Sequence, residues 1–234
     1  MKNNIQDKTK LVNSVFSKVY RKYDLMNDLM SLGIHRIWKE RYISWLNPSP
    51  NSNLIDVASG TGDIAKLFSN HIDHSAKITC IEPNNEMFEE GRKNLKKYKN
   101  IEWIKAGAEA LPIKDNSFDY YTISYGIRNV SDINKTLKEA YRVLKTGGRF
   151  MCLEFSKIDN ETLNFLYKQY SKIIPIAGKY IVGSSKPYDY LIKSIDSFYN
   201  QKQLCELILK NGFSNVEYRN LSNGISAIHS GWKI

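Results

Sequence analysis

A glycine turn between two carboxylates is the part of this chain whose residue types could do chemistry. The turn, Gly60–Gly62, follows an apolar run that ends in Asp56, and Asp63 comes directly after it. Glycines at a strand-to-helix turn let the backbone approach a ligand closely. A second apolar run, Ile78–Ile81, ends in Glu82, whose carboxylate can accept both hydroxyls of a ribose. This spacing predicts a nucleoside bound at the carboxyl edge of parallel strands.

Electrostatics separates the nucleosides that would fit this turn. The segment Gly60–Ala65 also matches the G-x-G-x-x-A form of dinucleotide sites. A pyrophosphate at a helix N-terminus is disfavoured by neighbouring carboxylates, and Asp56 and Asp63 flank the turn. The same carboxylates suit the sulfonium and α-amino groups of S-adenosylmethionine (SAM). The segment therefore favours SAM over NAD, and an ordinary strand–turn–helix with a solvated Asp is the alternative without a ligand.

Two later strand ends are expected to face the same crevice, because ligands of open α/β sheets lie at the carboxyl ends of the strands. Gly107 and Ala108 follow the third predicted strand, and their small size permits an adenine to stack closely; a plain small-residue turn is the alternative. Ser124, after the fourth strand, is expected near the methionine part of the cofactor. Arg128 and Asn129 are expected near the acceptor.

The segment Tyr23–Trp38 is dense in groups that could bind or deprotonate a phenol. Tyr23, Asp24 and His35 are its candidates for a base or a relay. Met, Leu and Trp side chains lie among them, and such a mixed lining suits an aromatic acceptor with a greasy tail. A lone His or Tyr in this setting is more often structural, and that alternative stays open.

The segment Leu163–Val182 is rich in aromatic and aliphatic residues, with lysines between them. It predicts either a core helix or a lid or membrane-facing groove for a long lipid. In the second case its lysines could meet lipid phosphates while their stems cover apolar surface.

The elements that must position these residues alternate along most of the chain. Residues 8–45 read as helical, and a parallel sheet with right-handed crossovers follows. After residue 157 the pattern changes to helical stretches and a final pair of strands, between which Asn223-Gly224 is a hairpin signal. The predicted strands are 53–58, 77–82, 101–105, 118–124, 148–155, 214–220 and 225–232, and the predicted helices are 62–70, 85–98, 132–144, 161–182 and 188–210.

Length, charge and cysteine usage bound the class of protein. A chain of 234 residues fits one α/β domain with attachments. Its formal charge of +10 favours an anionic surface such as acidic phospholipid, whereas the dispersed Lys and Arg residues do not form a nucleic-acid tail. The 3 cysteines show neither metal-ligand nor disulfide spacing. Without an apolar leader or a membrane-length apolar run, a cytoplasmic location is expected.

Several segments, in order along the chain, resemble the ubiquinone/menaquinone biosynthesis C-methyltransferases, the UbiE (MenG) family. Tyr23–Trp38 is similar to the first signature of this family, and Arg142–Ser156 is similar to the second. The segments Gly107–Pro112, Ile123–Val130 and Gly224–His229 also look like family segments in the right order. The resemblance runs from about Val15 to the C-terminus.

The resemblance implies a class I, Rossmann-like α/β fold with a seven-stranded sheet, a C-terminal antiparallel hairpin, N-terminal helices and a helical lid insertion. It implies a helical substrate-binding cap over residues 1–50 and a methyltransferase domain over 51–234, with lid helices at about 160–198. Relatives usually carry Asp where Glu82 stands, and Asn or Asp where Gly107 stands. The SAM-binding residues that it implies, together with the turn residues, are Thr61, Glu82, Gly107, Ala108, Ser124, Gly60 and Asp56.

The implied reaction is methyl transfer from SAM to a ring carbon of a polyprenylated quinol, a methoxy-benzoquinol or a demethylmenaquinol or both. The acceptor carbon becomes nucleophilic when the neighbouring hydroxyl loses its proton. Arg128 would stabilise the phenolate and Asn129 would hold the hydroxyl. No metal is expected. Peripheral contact with an anionic inner membrane is expected, with a homodimer or a quinone-biosynthesis complex as further partners. Another phenolic or lipid acceptor, or a SAM-binding scaffold subunit, is the alternative.

Overall fold

The computed structural model describes residue 17 and residues 23–31, 33–182 and 186–234. Two helices, α1 (Tyr23–Ser31) and α2 (His35–Leu46), precede the sheet. The elements that follow are β1 (Leu54–Val57), α3 (Asp63–His71), β2 (Ile78–Ile81), α4 (Asn85–Asn94), β3 (Ile101–Ile104), β4 (Phe118–Ser124), a 3-10 turn (Ile127–Asn129), α5 (Ile133–Val143), β5 (Leu144–Phe155), α6 (Glu161–Val182), α7 (Lys186–Asp196), α8 (Gln201–Lys210), β6 (Ser214–Leu221), a second 3-10 turn (Ser222–Gly224) and β7 (Ser226–Trp232).

The strands form one 7-stranded sheet in the order β3-β2-β1-β4-β5-β7-β6. The first five strands pair in parallel, and β7 pairs antiparallel with both β5 and β6. This confirms the predicted parallel sheet with a C-terminal antiparallel hairpin. The strand order reverses between β1 and β4, so the crevice at the carboxyl ends of these two strands is where an open α/β sheet binds its ligand.

Two buried clusters lie on the two faces of the sheet, because helices cover both faces and leave β1 and β2 entirely buried. Helix α2 belongs to one of these clusters through Trp38, Tyr42 and Leu46. The Tyr42 hydroxyl donates to the carbonyl of Met151 at 2.7 Å, and the Trp38 indole donates to Ser222 Oγ at 3.1 Å. Helix α2 is therefore fixed to the sheet at two points far apart in sequence.

The C-terminal helical stretch differs from its prediction. The predicted single stretch 188–210 is two helices, α7 and α8, because a capping box begins α8. The Asn200 side chain accepts the Gln203 N–H at 2.9 Å, and the Asn200 N–H donates to Gln203 Oε1 at 3.0 Å. Two short capping bonds thus end one helix and begin the next within an apolar pattern that looks continuous.

The predicted N-terminal helical stretch 8–45 is also divided. Within the described residues, α1 and α2 are separated near Gly33, whose φ of +79° no helix accommodates. Residues 8–16, 18–22 and 32 of that prediction lie outside the described part of the chain, as do residues 183–185 of the predicted lid.

Candidate active site

A cavity opens at the carboxyl ends of β1, β2, β3 and β4, where the sequence predicts a ligand. Every residue predicted to bind the cofactor lies in its wall. The lining residues are Lys39, Asp56, Ala58, Ser59, Gly60, Thr61, Asp63, Ile64, Glu82, Pro83, Asn84, Met87, Gly107, Ala108, Glu109, Ser124, Tyr125, Gly126, Asn129, Val130 and Ser131.

The glycine turn brings backbone directly to the cavity wall. Gly60 has a φ of +57°, and a Cβ added there would meet nothing within 4 Å, so open cavity lies beside its Cα. Gly62 is the N-cap of α3 with a φ of +91°, and a Cβ added there would lie 2.5 Å from Leu95 Cδ1. The Ser59 hydroxyl donates to the Asp56 carbonyl at 2.6 Å and closes the turn. Both glycines are therefore required, one by close packing and both by their left-handed backbone.

Two buried carboxyl groups face the turn. Glu82 Oε2 accepts the Gly60 N–H at 2.9 Å, and its Oε1 accepts the Asn84 N–H at 2.9 Å. Burial raises the pKa of Glu82 to about 7, although these two hydrogen bonds oppose the shift. Burial likewise raises the pKa of Asp56 to about 7. Asp56 Oδ1 accepts the Thr122 hydroxyl at 2.8 Å, while no described residue is a partner for its Oδ2. That oxygen suits a cation or a donor of a bound molecule.

The end of β4 also offers a polar atom to the cavity. Within the part of the chain that the structure describes, Ser124 Oγ is buried without a hydrogen-bond partner. Tyr125 and Ala58 are held at φ values of +55° and +53°, which non-glycine residues seldom adopt. A Cβ on Gly126 would lie 2.6 Å from Ala58 Cβ, so the β1 and β4 ends approach closely. Such backbone strain concentrates at ligand sites.

The loop after β3 forms a further part of the cavity wall. Gly107 and Ala108 lie in it, and a Cβ on Gly107 would lie 3.2 Å from Glu109 Oε2. Glu109 Oε1 accepts the Ser131 N–H at 2.6 Å and so ties this loop to the loop that follows β4. Gly107 and Ala108 therefore lie on a loop that the Glu109 carboxylate anchors.

Lys39 is a cavity residue that the sequence reasoning missed. Its Nζ lies 2.6 Å from Asp63 Oδ2, and its side chain is only 8% exposed. Burial alone would raise the pKa of Asp63, but the Lys39 ammonium outweighs it and holds that pKa below its usual value. Asp63, one of the two carboxylates expected to disfavour a pyrophosphate, is therefore already neutralised. Because the pair joins α2 to α3, no local sequence pattern signals it.

The structure separates the residues predicted to act on the acceptor. Asn129 lines the cavity, and its Oδ1 accepts the Tyr190 hydroxyl at 3.0 Å. The Arg128 guanidinium is not brought to the described cavity wall. Its Nη1 lies 2.6 Å from Glu154 Oε1 and donates to the Tyr125 carbonyl at 2.7 Å, and the Arg128 and Glu154 side chains are each 1% exposed.

His35 lies behind the wall, one helical turn before Lys39. Its Nε2 is 2.9 Å from Asp28 Oδ1, which Arg36 also contacts, and its Nδ1 is buried with no partner among the described residues. Burial and the Lys39 charge lower the pKa of His35 despite Asp28, so the ring is neutral at pH 7. Tyr23 and Asp24 lie in α1, and the contacts of their side chains are outside the described part of the chain.

Solved structures similar to this chain share its architecture. A SAM-dependent methyltransferase from Thermotoga maritima matches with a TM-score of 0.67 at 22% identity, over 95% of this chain and 100% of that one. A Haemonchus contortus phosphoethanolamine N-methyltransferase in complex with SAM matches with a TM-score of 0.63 at 15% identity, over 84% of this chain and 52% of that one. At these identities both show the fold alone, that of the class I SAM-dependent methyltransferases.

Curated relatives are much closer in sequence. A ubiquinone/menaquinone biosynthesis C-methyltransferase UbiE from Rickettsia bellii is 52% identical over 97% of this chain and 94% of its own length. The protein of the same name from Brucella suis is 49% identical over 97% of this chain and 87% of its own length. The model of the ubiE/COQ5 methyltransferase family matches residues 2–233. With this coverage, and with a cavity whose wall fits SAM, the chain belongs to the ubiE/COQ5 methyltransferase family of SAM-dependent C-methyltransferases.

Proposed function

We propose that this chain transfers the methyl group of SAM to a ring carbon of a polyprenylated quinol, either a methoxy-benzoquinol or a demethylmenaquinol or both. The observation that carries the proposal is the 52% identity to a ubiquinone/menaquinone biosynthesis C-methyltransferase over nearly the whole chain. The cavity supports it, because every residue predicted to hold SAM lies in one continuous wall.

The proposed cofactor contacts follow from the chemistry of that wall. SAM supplies an electrophilic methyl group on its sulfonium. The carboxylate of Glu82, fixed by two backbone N–H groups, accepts the ribose hydroxyls. Asp56 and Ser124, each with a buried oxygen that lacks a described partner, contact the methionine part. Gly107 and Ala108 lie against the adenine, and Thr61 with Gly60 forms the turn beneath the cofactor.

The acceptor must lose a phenolic proton whose ordinary pKa is about 10. The Asn129 amide holds the hydroxyl: its Oδ1 accepts from Tyr190, and its Nδ2, which donates to the Tyr125 carbonyl at 3.4 Å, has a second N–H for the acceptor. Neutral His35 can accept a proton at Nδ1 and is the proposed base or relay, with Asp24 and Tyr23 as the other candidates. Holding the ring carbon in line with the methyl group supplies much of the rate.

Arg128 is predicted from the sequence to stabilise the phenolate, and its contacts support a different role. The guanidinium joins Glu154 of β5 to the Tyr125 carbonyl and, at 3.4 Å, to Ser194 Oγ of α7. We therefore propose that Arg128 is a positioning residue, which holds the strand end that carries Ser124 and Asn129 against α7.

The hydrophobic polyprenyl tail of the acceptor is proposed to lie under a lid formed by residues 160–198. Residues 1–50 are proposed to form the substrate-binding cap. On α6 the apolar side chains of Phe165, Leu166 and Ile173 are 61%, 58% and 60% exposed, and Lys168 is exposed beside them. With the net charge of +10, this surface supports peripheral contact with an anionic membrane. A helix with the length and hydropathy to cross a bilayer does not occur among the described residues. We also propose that the chain assembles as a homodimer or within a quinone-biosynthesis complex.

Methyl transfer from radiolabelled SAM tests the proposed function. The acceptors are a short-tail methoxy-benzoquinol and a short-tail demethylmenaquinol, both kept reduced. Label in one or both quinols is expected, and the pattern identifies the pathway. Label in neither, while calorimetry shows that the cofactor product S-adenosylhomocysteine still binds, would contradict the proposal and favour a scaffold subunit or another acceptor.

A further inference from the structure

The charges that line the cavity are unevenly distributed. Four carboxyl groups, those of Asp56, Asp63, Glu82 and Glu109, lie in the wall. Among the described lining residues Lys39 is the only cation. The cofactor carries two positive groups, the sulfonium and the α-ammonium, which the carboxyl groups suit. It also carries one α-carboxylate, which the same carboxyl groups would repel unless a cation stands between them.

The location of Lys39 fits that task. Its side chain is only 8% exposed, so its ammonium is held at the cavity wall and does not extend into solvent. An ammonium has three donors, and the bond to Asp63 Oδ2 at 2.6 Å uses one of them. The backbone beneath Lys39 is rigid, because its neighbour Trp38 and, one turn later, Tyr42 are hydrogen-bonded to the sheet side of the fold.

The first turn of α3 supplies a second attraction at the same place. Asp63 begins this helix, and its N-cap, Gly62, has no side chain that could cap the helix. The amide N–H groups at a helix N-terminus have no partner within the helix and favour an anion. The ion pair joins the buried Lys39 ammonium to the carboxylate of Asp63, the first residue of this helix, and Asp63 and Ile64 of the same turn both line the cavity.

We propose that Lys39 binds the α-carboxylate of the cofactor, and that Asp63 holds the ammonium in place for it. The N-terminal helix α2 thereby contributes a binding residue to a site otherwise built from the strand ends of the sheet. The inference rests on the cofactor of the family and not on the proposed quinol, so it is tested by binding without any acceptor.

The experiment compares two ligands on matched variants by calorimetry. S-adenosylhomocysteine carries the carboxylate, and its decarboxylated form lacks that group alone. Lys39→Met keeps the apolar stem and removes the charge, and the control is Lys66→Met, which removes an exposed lysine on α3. Loss of a hydrogen bond to a charged group weakens binding by about 10- to 100-fold. We expect that loss in Lys39→Met with S-adenosylhomocysteine, a change below about threefold with the decarboxylated ligand, and recovery in Lys39→Arg.

An equal loss for both ligands would overturn the proposal, because it would mean that Lys39 only neutralises Asp63. Equal affinity of the unaltered protein for the two ligands would overturn it as well, and that comparison needs no variant. If Lys39→Met does not fold, Asp63→Asn serves instead. Without the Asp63 carboxylate to hold its ammonium, Lys39 should bind the α-carboxylate less well, so the preference for the carboxylated ligand should fall, and an unchanged or larger preference contradicts the assignment.

Discussion

Replacement of Arg128 by Met should destabilise the fold, because it leaves the buried Glu154 carboxylate without its cation. Both side chains are 1% exposed, and Nη1 lies 2.6 Å from Oε1. Breaking a buried ion pair by removing one partner costs about 3–5 kcal/mol. In a chain of 234 residues each kcal/mol shifts Tm by about 2–4 °C. Arg128→Met should therefore lower Tm by about 6–20 °C, as measured by calorimetry or circular dichroism.

The loss of folding stability in Arg128→Met should also depend on pH. Burial already raises the pKa of Glu154, against the Arg128 charge, and without Arg128 that pKa rises further. The folded carboxyl then binds a proton more tightly than the unfolded one, whose pKa is about 4.3, so stability increases as pH falls through the folded pKa. Denaturant unfolding at about pH 8 and about pH 5.5 should show the smaller deficit at the lower pH.

A double variant and a binding measurement decide between a structural and a chemical role of Arg128. Arg128→Met with Glu154→Met removes both charges, and we expect it to be more stable than Arg128→Met alone. Neither residue lines the described cavity, so any loss of affinity for S-adenosylhomocysteine in a folded variant should follow its loss of stability. The reasoning is refuted if Arg128→Met keeps its Tm and its cofactor affinity but loses turnover, since the guanidinium would then act on the acceptor.

Four other predictions concern the cavity itself. Affinity for S-adenosylhomocysteine should rise from about pH 6 to about pH 8, because burial raises the pKa of Asp56 and Glu82 to about 7. Their ionised forms are the hydrogen-bond acceptors for the ligand. An affinity that calorimetry finds constant over this pH range would contradict the prediction. Over the same rise the free protein should lose stability, as thermal melting can show, since its folded state binds these protons more tightly than the unfolded chain. Gly62→Ala should cost about 2 kcal/mol or more, because its φ is +91° and its Cβ would lie 2.5 Å from Leu95 Cδ1; an unchanged Tm would contradict the packing argument. Asn129→Leu should lower kcat about 100-fold while cofactor affinity stays constant, and a parallel loss of both would exclude a role on the acceptor.

Most of the sheet could be predicted from the sequence, because its strands are short apolar runs ended by glycine, proline or a carboxylate. Strand 118–124 matches β4 at both ends, and the Asn223-Gly224 signal lies between two strands that do pair antiparallel. The break at Asn200 was missed, since a capping box only interrupts the backbone and leaves the apolar pattern of the stretch 188–210 intact.

The site could be predicted as far as its strand ends, and not beyond. Topology alone brings the glycine turn, Glu82 and Ser124 to one edge, so their common cavity follows from the motifs. The partners of the charged side chains do not follow, because the Lys39–Asp63 pair joins two helices and the Arg128–Glu154 pair joins the 3-10 turn after β4 to β5. A cationic side chain near a predicted crevice can either face it or serve a buried carboxylate, and sequence does not distinguish these outcomes.

Because α2 is packed against the sheet, it limits which N-terminal segments could be exchanged between relatives to change acceptor specificity. One of the two buried clusters includes Trp38, Tyr42 and Leu46 of α2. A chimera joined at residue 50 would therefore replace core residues together with the N-terminal segment. A junction near Gly33, between the two N-terminal helices, would keep these three residues and the Lys39–Asp63 pair, and among the described residues of that cluster it would replace only Met30, with Leu29 packed against it. Swaps of α1 are thus the ones that a recombination library could tolerate, whereas swaps of α2 demand matched partners in the sheet.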